Sequence, residues 1–139
     1  MGKSCRTTLR ALNSLGLAVS DCEGILITHE HADHVAGLET FLKHYSVPVF
    51  SSAATLDMLE SRGTLPPAVG AVAIDGRTEE IGGFTVKSFP TSHDVPCCGY
   101  RIRTPDGSTM ALATDLGILT PVVAEHLAGC GLVALEANY

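Results

Sequence analysis

The 139-residue sequence predicts a single mixed α/β domain, and three observations lead there. The first half alternates strand-like and helix-like patterns in a β-loop-α-β order. The second half is a series of short strand-like segments divided by glycine turns. The chain is also long enough to bury roughly two thirds of the surface its unfolded form exposes. An apolar fraction of 45% excludes disorder. Charged residues are only 17% of the chain, where about a quarter is usual, and the mean hydropathy is +0.25. The surface is short of charge.

Taken in order, Ser4 caps a first helix, Cys5 to Leu15, whose Leu9, Leu12 and Leu15 recur every three residues before Gly16 ends it. Gly24 to Thr28 is a β-branched and aliphatic run of the kind that forms a strand buried on both faces, and it delivers the chain into His29. Leu38, Phe41, Leu42 and Tyr45 share a helical face, and Val47 to Phe50 is the next strand. Ser52 caps a helix carrying Leu56 and Leu59 that ends at Gly63, and 64–70 is a surface connection. Strands follow at 72–74, 79–81, 84–89, 98–104 and 108–113, expected as antiparallel neighbours. Thr120 followed by Pro121 opens a helix to about Ala128, and 132–137 is a final strand.

Nine basic against fifteen acidic residues, with no Lys/Arg cluster, give no electropositive footprint for nucleic acid, so a polyanion would have to be drawn in by bound cations. Five cysteines without a C-x-x-C spacing are poor material for a disulfide framework, and the N-terminus lacks the apolar core of a signal peptide. No apolar stretch approaches the length that spans a bilayer, and Arg6 stands where a myristoylation motif wants Ser or Thr. The expectation is a cytoplasmic protein with reduced thiols and no membrane partner.

The informative stretch is Thr28-His29-Glu30-His31-Ala32-Asp33-His34. Three imidazoles and a carboxylate within six positions, at the mouth of a buried strand, are nitrogen and oxygen donors suited to converge on a cation. His93, beyond the strand ending at Phe89, and Asp115, beyond the strand ending at Ala113, occupy equivalent strand-end positions, where a rigid sheet holds ligands in register. His44 and His126 read as surface or satisfied histidines, and Cys97-Cys98 as a strand-buried pair. Asp94, next to His93, is left outside the site because neighbours on a strand point apart, with orientation of the His93 ring the alternative. Arg101 and Arg103 share one face and read as solvent-facing, with phosphate contact the alternative.

His29-x-His31-x-Asp33-His34 after an apolar strand, His93 in Thr-Ser-His-Asp and Asp115 in Ala-Thr-Asp-Leu-Gly resemble the metallo-β-lactamase superfamily. With Leu135-Glu136-Ala137-Asn138, they look most like its WalJ/YycJ-type exonuclease branch. The resemblance covers nearly the whole chain. It implies that His29, His31 and His93 hold one divalent ion, that Asp33 and His34 hold a second, and that Asp115 bridges them. Zinc is the usual metal, with manganese or iron in some members.

A complete fold of that family is an αβ/βα sandwich, and this chain matches half of one: a mixed sheet with helices on one face. It reads as truncated at both ends, and Tyr139 stands where the family's second site takes a histidine after Glu-x-Asn. A half-sandwich leaves an apolar face wet at about 25 cal/mol per Å², so a homodimer is expected to supply the missing layer. The function the residues imply is hydrolysis by a metal-activated hydroxide, with Asp33 orienting the attacking water and small phosphodiester or nucleotide-type molecules as substrates. Two alternatives stay open: a catalytically inactive metal-binding fragment, and an ester or lactam hydrolase.

Overall fold

The computed structural model describes residues 1–136 and divides into two compact units, Met1–Ala73 and the stretch from Ile74 onward. In the first unit, α1 (Cys5–Ser14) starts where the Ser4 hydroxyl accepts from the Thr7 N–H at 3.3 Å, and it stops before Gly16 at φ 72°. Three strands, β1 (Ile25–Leu26), β2 (Val49–Ser51) and β3 (Ala71–Ala73), form an all-parallel sheet in that order. Parallel neighbours need crossover connections. Those are α2 (Ala32–Val35) with α3 (Leu38–His44) between β1 and β2, and α4 (Ala53–Ser61) between β2 and β3. Their apolar faces close a core of Ile27, Leu38, Phe41, Leu42, Val49, Leu56 and Leu59, against which Cys5 and Leu9 of α1 pack.

Three differences from the sequence reading have physical causes. The strand expected to begin at Val47 enters the ladder at Val49, because Pro48 has no N–H to offer and instead accepts from Ile25 through its carbonyl at 2.9 Å. The strand expected at 72–74 among antiparallel neighbours is β3, and it pairs parallel with β2, Phe50 opposite Val72. The connection at 64–70 is tied down by Leu65, which is buried in the core.

The second unit is a five-stranded sheet in sequence order: β4 (Thr78–Ile81), β5 (Phe84–Thr91), β6 (Cys97–Arg103), β7 (Thr109–Ala113) and β8 (Leu132–Leu135). The first three pairings are antiparallel. Gly82 and Gly83 supply the positive φ of the β4–β5 hairpin and Gly107 that of the β6–β7 turn. β8 returns parallel to β7 through α5 (Pro121–Leu127), which opens as expected with Thr120 accepting from the Val123 N–H. Val123 packs on Phe89 and Ala113, with Leu116 and Leu127 around them. All four residues of β8 are exposed, and among the described residues β8 is an outer strand. The final strand stops at Leu135; Ala137, Asn138 and Tyr139 lie outside the described residues. No helix among the described residues is long and apolar enough to cross a membrane.

Candidate metal centre

The first unit assembles its donors at the C-terminal end of β1. The Ile27 N–H donates to the Phe50 carbonyl at 3.0 Å and the Ser51 hydroxyl donates to the Ile27 carbonyl at 2.7 Å, so β2 holds both backbone groups of the residue that follows β1. Thr28, His29 and Glu30 follow, all buried, with His29 at 0% exposure. The His29 ring meets His31 edge-on at a centroid distance of 4.6 Å and His34 at 4.1 Å. A ligand nitrogen of His29 lies within 4.8 Å of one on His31 and of one on His34. The short helix α2 places Asp33 and His34 in one turn, where His34 Nε2 stands 3.6 Å from Asp33 Oδ2.

Features that sequence reasoning missed hold this loop. Arg62, after α4, donates from Nη1 to the Glu30 carbonyl at 2.9 Å. The Gly37 N–H donates to the Met1 carbonyl at 3.0 Å, and the first residues run so close to α2 that a Cβ on Gly2 would lie 1.5 Å from the Asp33 carbonyl oxygen. No local signal in the sequence announces either contact, since both join residues more than thirty positions apart.

The second unit carries its two donors at the ends of parallel-running strands. β5 and β7 flank β6 antiparallel to it, so their C-termini point to the same end of the sheet. His93 follows β5 and Asp115 follows β7. The Gly117 N–H donates to the Ser92 carbonyl at 2.6 Å, joining the two loops. Asp115 is the described non-glycine residue with positive φ, at 59°. The carboxylate of Glu136 accepts from the Leu116 N–H at 2.5 Å while its own N–H donates to Ala113 at 3.1 Å. Glu136 therefore pins the turn that carries Asp115.

Asp94 touches His93, the contact that an orienting role for that ring requires. The strand ends at Thr91, so alternation no longer applies, and Asp94 Oδ1 lies 3.1 Å from His93 Nε2. Arg101 is also more than surface decoration: Nη1 donates to the His126 and Ala128 carbonyls at 2.6 and 2.9 Å, capping α5. Cys97 and Cys98 are buried, as read. His126 stacks on Phe89 at 4.5 Å with Nδ1–H donating to the Val122 carbonyl, and His44 is exposed at the end of α3.

The donor set fits a divalent cation. Neutral imidazoles and carboxylates are the ligands that zinc, manganese and iron take from proteins. Here three imidazoles are gathered within one loop around a fully buried member, with a carboxylate in the same turn.

Residues 4–139 match the family described as Beta-lactamase superfamily domain. The exodeoxyribonuclease YycJ of Bacillus anthracis is 28% identical over 139 residues, 99% of this chain and 53% of that protein. The exodeoxyribonuclease WalJ of Streptococcus pneumoniae is 26% identical over 141 residues, 99% of this chain and 51% of that protein. Among solved structures, a metallo-β-lactamase of Cronobacter sakazakii with a HARLDQ motif superposes with a TM-score of 0.72 at 20% identity, over 97% of this chain and 66% of the other. The chain spans about half the length of the curated relatives it matches.

Proposed function

Because the chain belongs to the β-lactamase superfamily, matched from residue 4 to residue 139, we propose that it is a metal-dependent hydrolase of phosphodiesters, with nucleic-acid or nucleotide substrates. The observation that carries this reading is the packing of a buried His29 against His31 and His34 just beyond β1. The substrate class is supported by the relatives named above, two of them exodeoxyribonucleases. The net charge of -6 makes bound cations the attraction for a polyanion.

In this reading His29, His31 and His93 would hold one ion, Asp33 and His34 would hold a second, and Asp115 would serve both. Zinc is the expected metal, with manganese or iron as alternatives. A bound divalent cation supplies Lewis acidity and lowers the pKa of water to about 7. The chain's own part is orientation and proton transfer. To Asp33, whose side chain is 80% exposed and open to water, this reading assigns the orientation of the attacking water through a carboxylate oxygen and the acceptance of its proton. Glu136 and Ser92 keep the loops of Asp115 and His93 in place through backbone bonds. These restraints make positioning a property of the scaffold.

The reading treats residues 1–139 as one partial domain, since the family match runs through both units. It also assigns a homodimer, supported by the exposed Leu132, Val133 and Leu135 of β8, and a cytoplasmic location, supported by five free cysteines. Light scattering that gives a well-behaved 14.5 kDa species would remove the dimer.

The decisive experiment offers single-stranded DNA, bis-p-nitrophenyl phosphate, an aryl ester and a β-lactam to the metal-loaded protein, with and without chelator. Chelator-sensitive phosphodiester turnover, lost in His29→Ala and Asp33→Asn, is expected. Turnover of ester or lactam alone would replace the reading with an acyl hydrolase. Bound metal without turnover of any substrate would leave a binding fragment.

A further inference from the structure

We propose that Thr28 is a positioning residue that sets the tautomers of His29 and His34. Its hydroxyl oxygen accepts a hydrogen bond from the Nδ1–H of each ring, so that Nε2 of each carries the lone pair offered to a cation. The inference rests on the metal reading above and adds to it the group that decides which nitrogen binds.

Thr28 Oγ1 lies 3.0 Å from His29 Nδ1 and 3.3 Å from His34 Nδ1. A neutral imidazole carries one proton, on Nδ1 or on Nε2, and a cation binds the nitrogen without it. A hydroxyl oxygen has two lone pairs and can accept from both rings at once, its own proton pointing away from them. Were the hydroxyl to donate to either Nδ1 instead, that ring's proton would sit on Nε2 and close it to metal. One oxygen therefore serves two ligands, which the 4.1 Å spacing of the ring centroids permits.

Three further observations suit this role. Thr28 is buried, 6% exposed, so water does not compete freely for its oxygen. Its side chain is β-branched and stiff at χ1, which holds the oxygen in one direction once the backbone leaves β1. His34 Nε2 stands 3.6 Å from Asp33 Oδ2, beyond hydrogen-bond distance, so this carboxylate does not hold a proton on the nitrogen offered to the ion. Hydrogen bonding to the far nitrogen of a ligating histidine is the general means of fixing its tautomer, and losing such a partner costs about tenfold or more in metal affinity.

The test begins with metal-free wild-type protein labelled with ¹⁵N in histidine, at about pH 8, above the ordinary imidazole range. Long-range ¹H–¹⁵N spectra are expected to show His29 and His34 protonated at Nδ1. An Nε2–H signal from either ring would overturn the proposal without any variant being made. Thr28→Ser should retain both tautomers. Thr28→Val should redistribute them and weaken zinc binding by about tenfold, read by competition with a chromophoric chelator. Wild-type tautomers together with wild-type zinc affinity in Thr28→Val would also overturn it. If Thr28→Val fails to fold by circular dichroism, the wild-type and Thr28→Ser spectra still decide. Elemental analysis that finds no metal in the loaded wild type would remove the metal reading, while the tautomer spectra would judge Thr28 separately.

Discussion

Gly99 of β6 stands directly opposite Phe89 of β5, and a Cβ at position 99 would lie 2.5 Å from two atoms of the Phe89 ring. The ring occupies the space a side chain would take. It is 1% exposed, contacts Val123 and Ala113, and stacks with His126. This glycine is required for room alone, since its φ is not in the left-handed region.

Gly99→Ala is therefore expected to push Phe89 out of its rotamer and destabilise the second unit by about 1–3 kcal/mol. Thermal melts followed by circular dichroism check this. A variant as stable as wild type would show that the sheet absorbs the methyl group.

Ser51 is fully buried and its hydroxyl donates to the Ile27 carbonyl. Ser51→Ala removes that donor at the point where the chain leaves β1 for the histidine loop. A loss of about 1–3 kcal/mol in urea unfolding is expected, together with weaker zinc binding. Destabilisation with unaltered zinc affinity would show that the loop is positioned from elsewhere.

Much of this region is legible in the sequence because its signals are local. Ser52 and Thr120 cap their helices through residues three positions on, and the histidines lie within one loop. What the sequence hides depends on partners far along the chain. Nothing in Ala71–Ala73 says that it pairs with β2, and nothing in Gly2 says that it passes over the backbone of Asp33. Strand alternation does not describe Asp94 either, because β5 ends three residues earlier, at Thr91, and the loop beyond it brings the Asp94 carboxylate to His93.

In the β6–β7 turn the Asp106 carboxylate accepts from the Thr104 hydroxyl, and from the N–H and hydroxyl of Ser108 at 3.1 and 3.2 Å. These bonds, that of Thr104 foremost, hold its pKa below the ordinary 3.8. The unfolded chain therefore takes up the proton first as pH falls, so the turn's contribution is full above 3.8 and is lost through the lower folded value. Wild type is expected to melt higher than Asp106→Asn at neutral pH, and the gap should close in acid below 3.8. A gap that is constant with pH would disprove the linkage.

A bound cation stabilises whatever it binds in the folded state, by about 2.7 kcal/mol when free metal exceeds the dissociation constant a hundredfold. Removing zinc with a chelator should therefore lower the melting temperature of the wild type and leave His29→Ala, measured alongside, nearly unmoved. Equal responses from the two proteins would place the metal elsewhere.

The left-handed backbone at Asp115 limits redesign of the chain. Aspartate and asparagine enter that conformation with help from their short polar side chains, and glycine enters it freely. A longer acid, or a residue branched at Cβ, meets a penalty of about 1–2 kcal/mol before it touches any ligand. Exchanging this carboxylate for glutamate will therefore strain the main chain at the turn after β7.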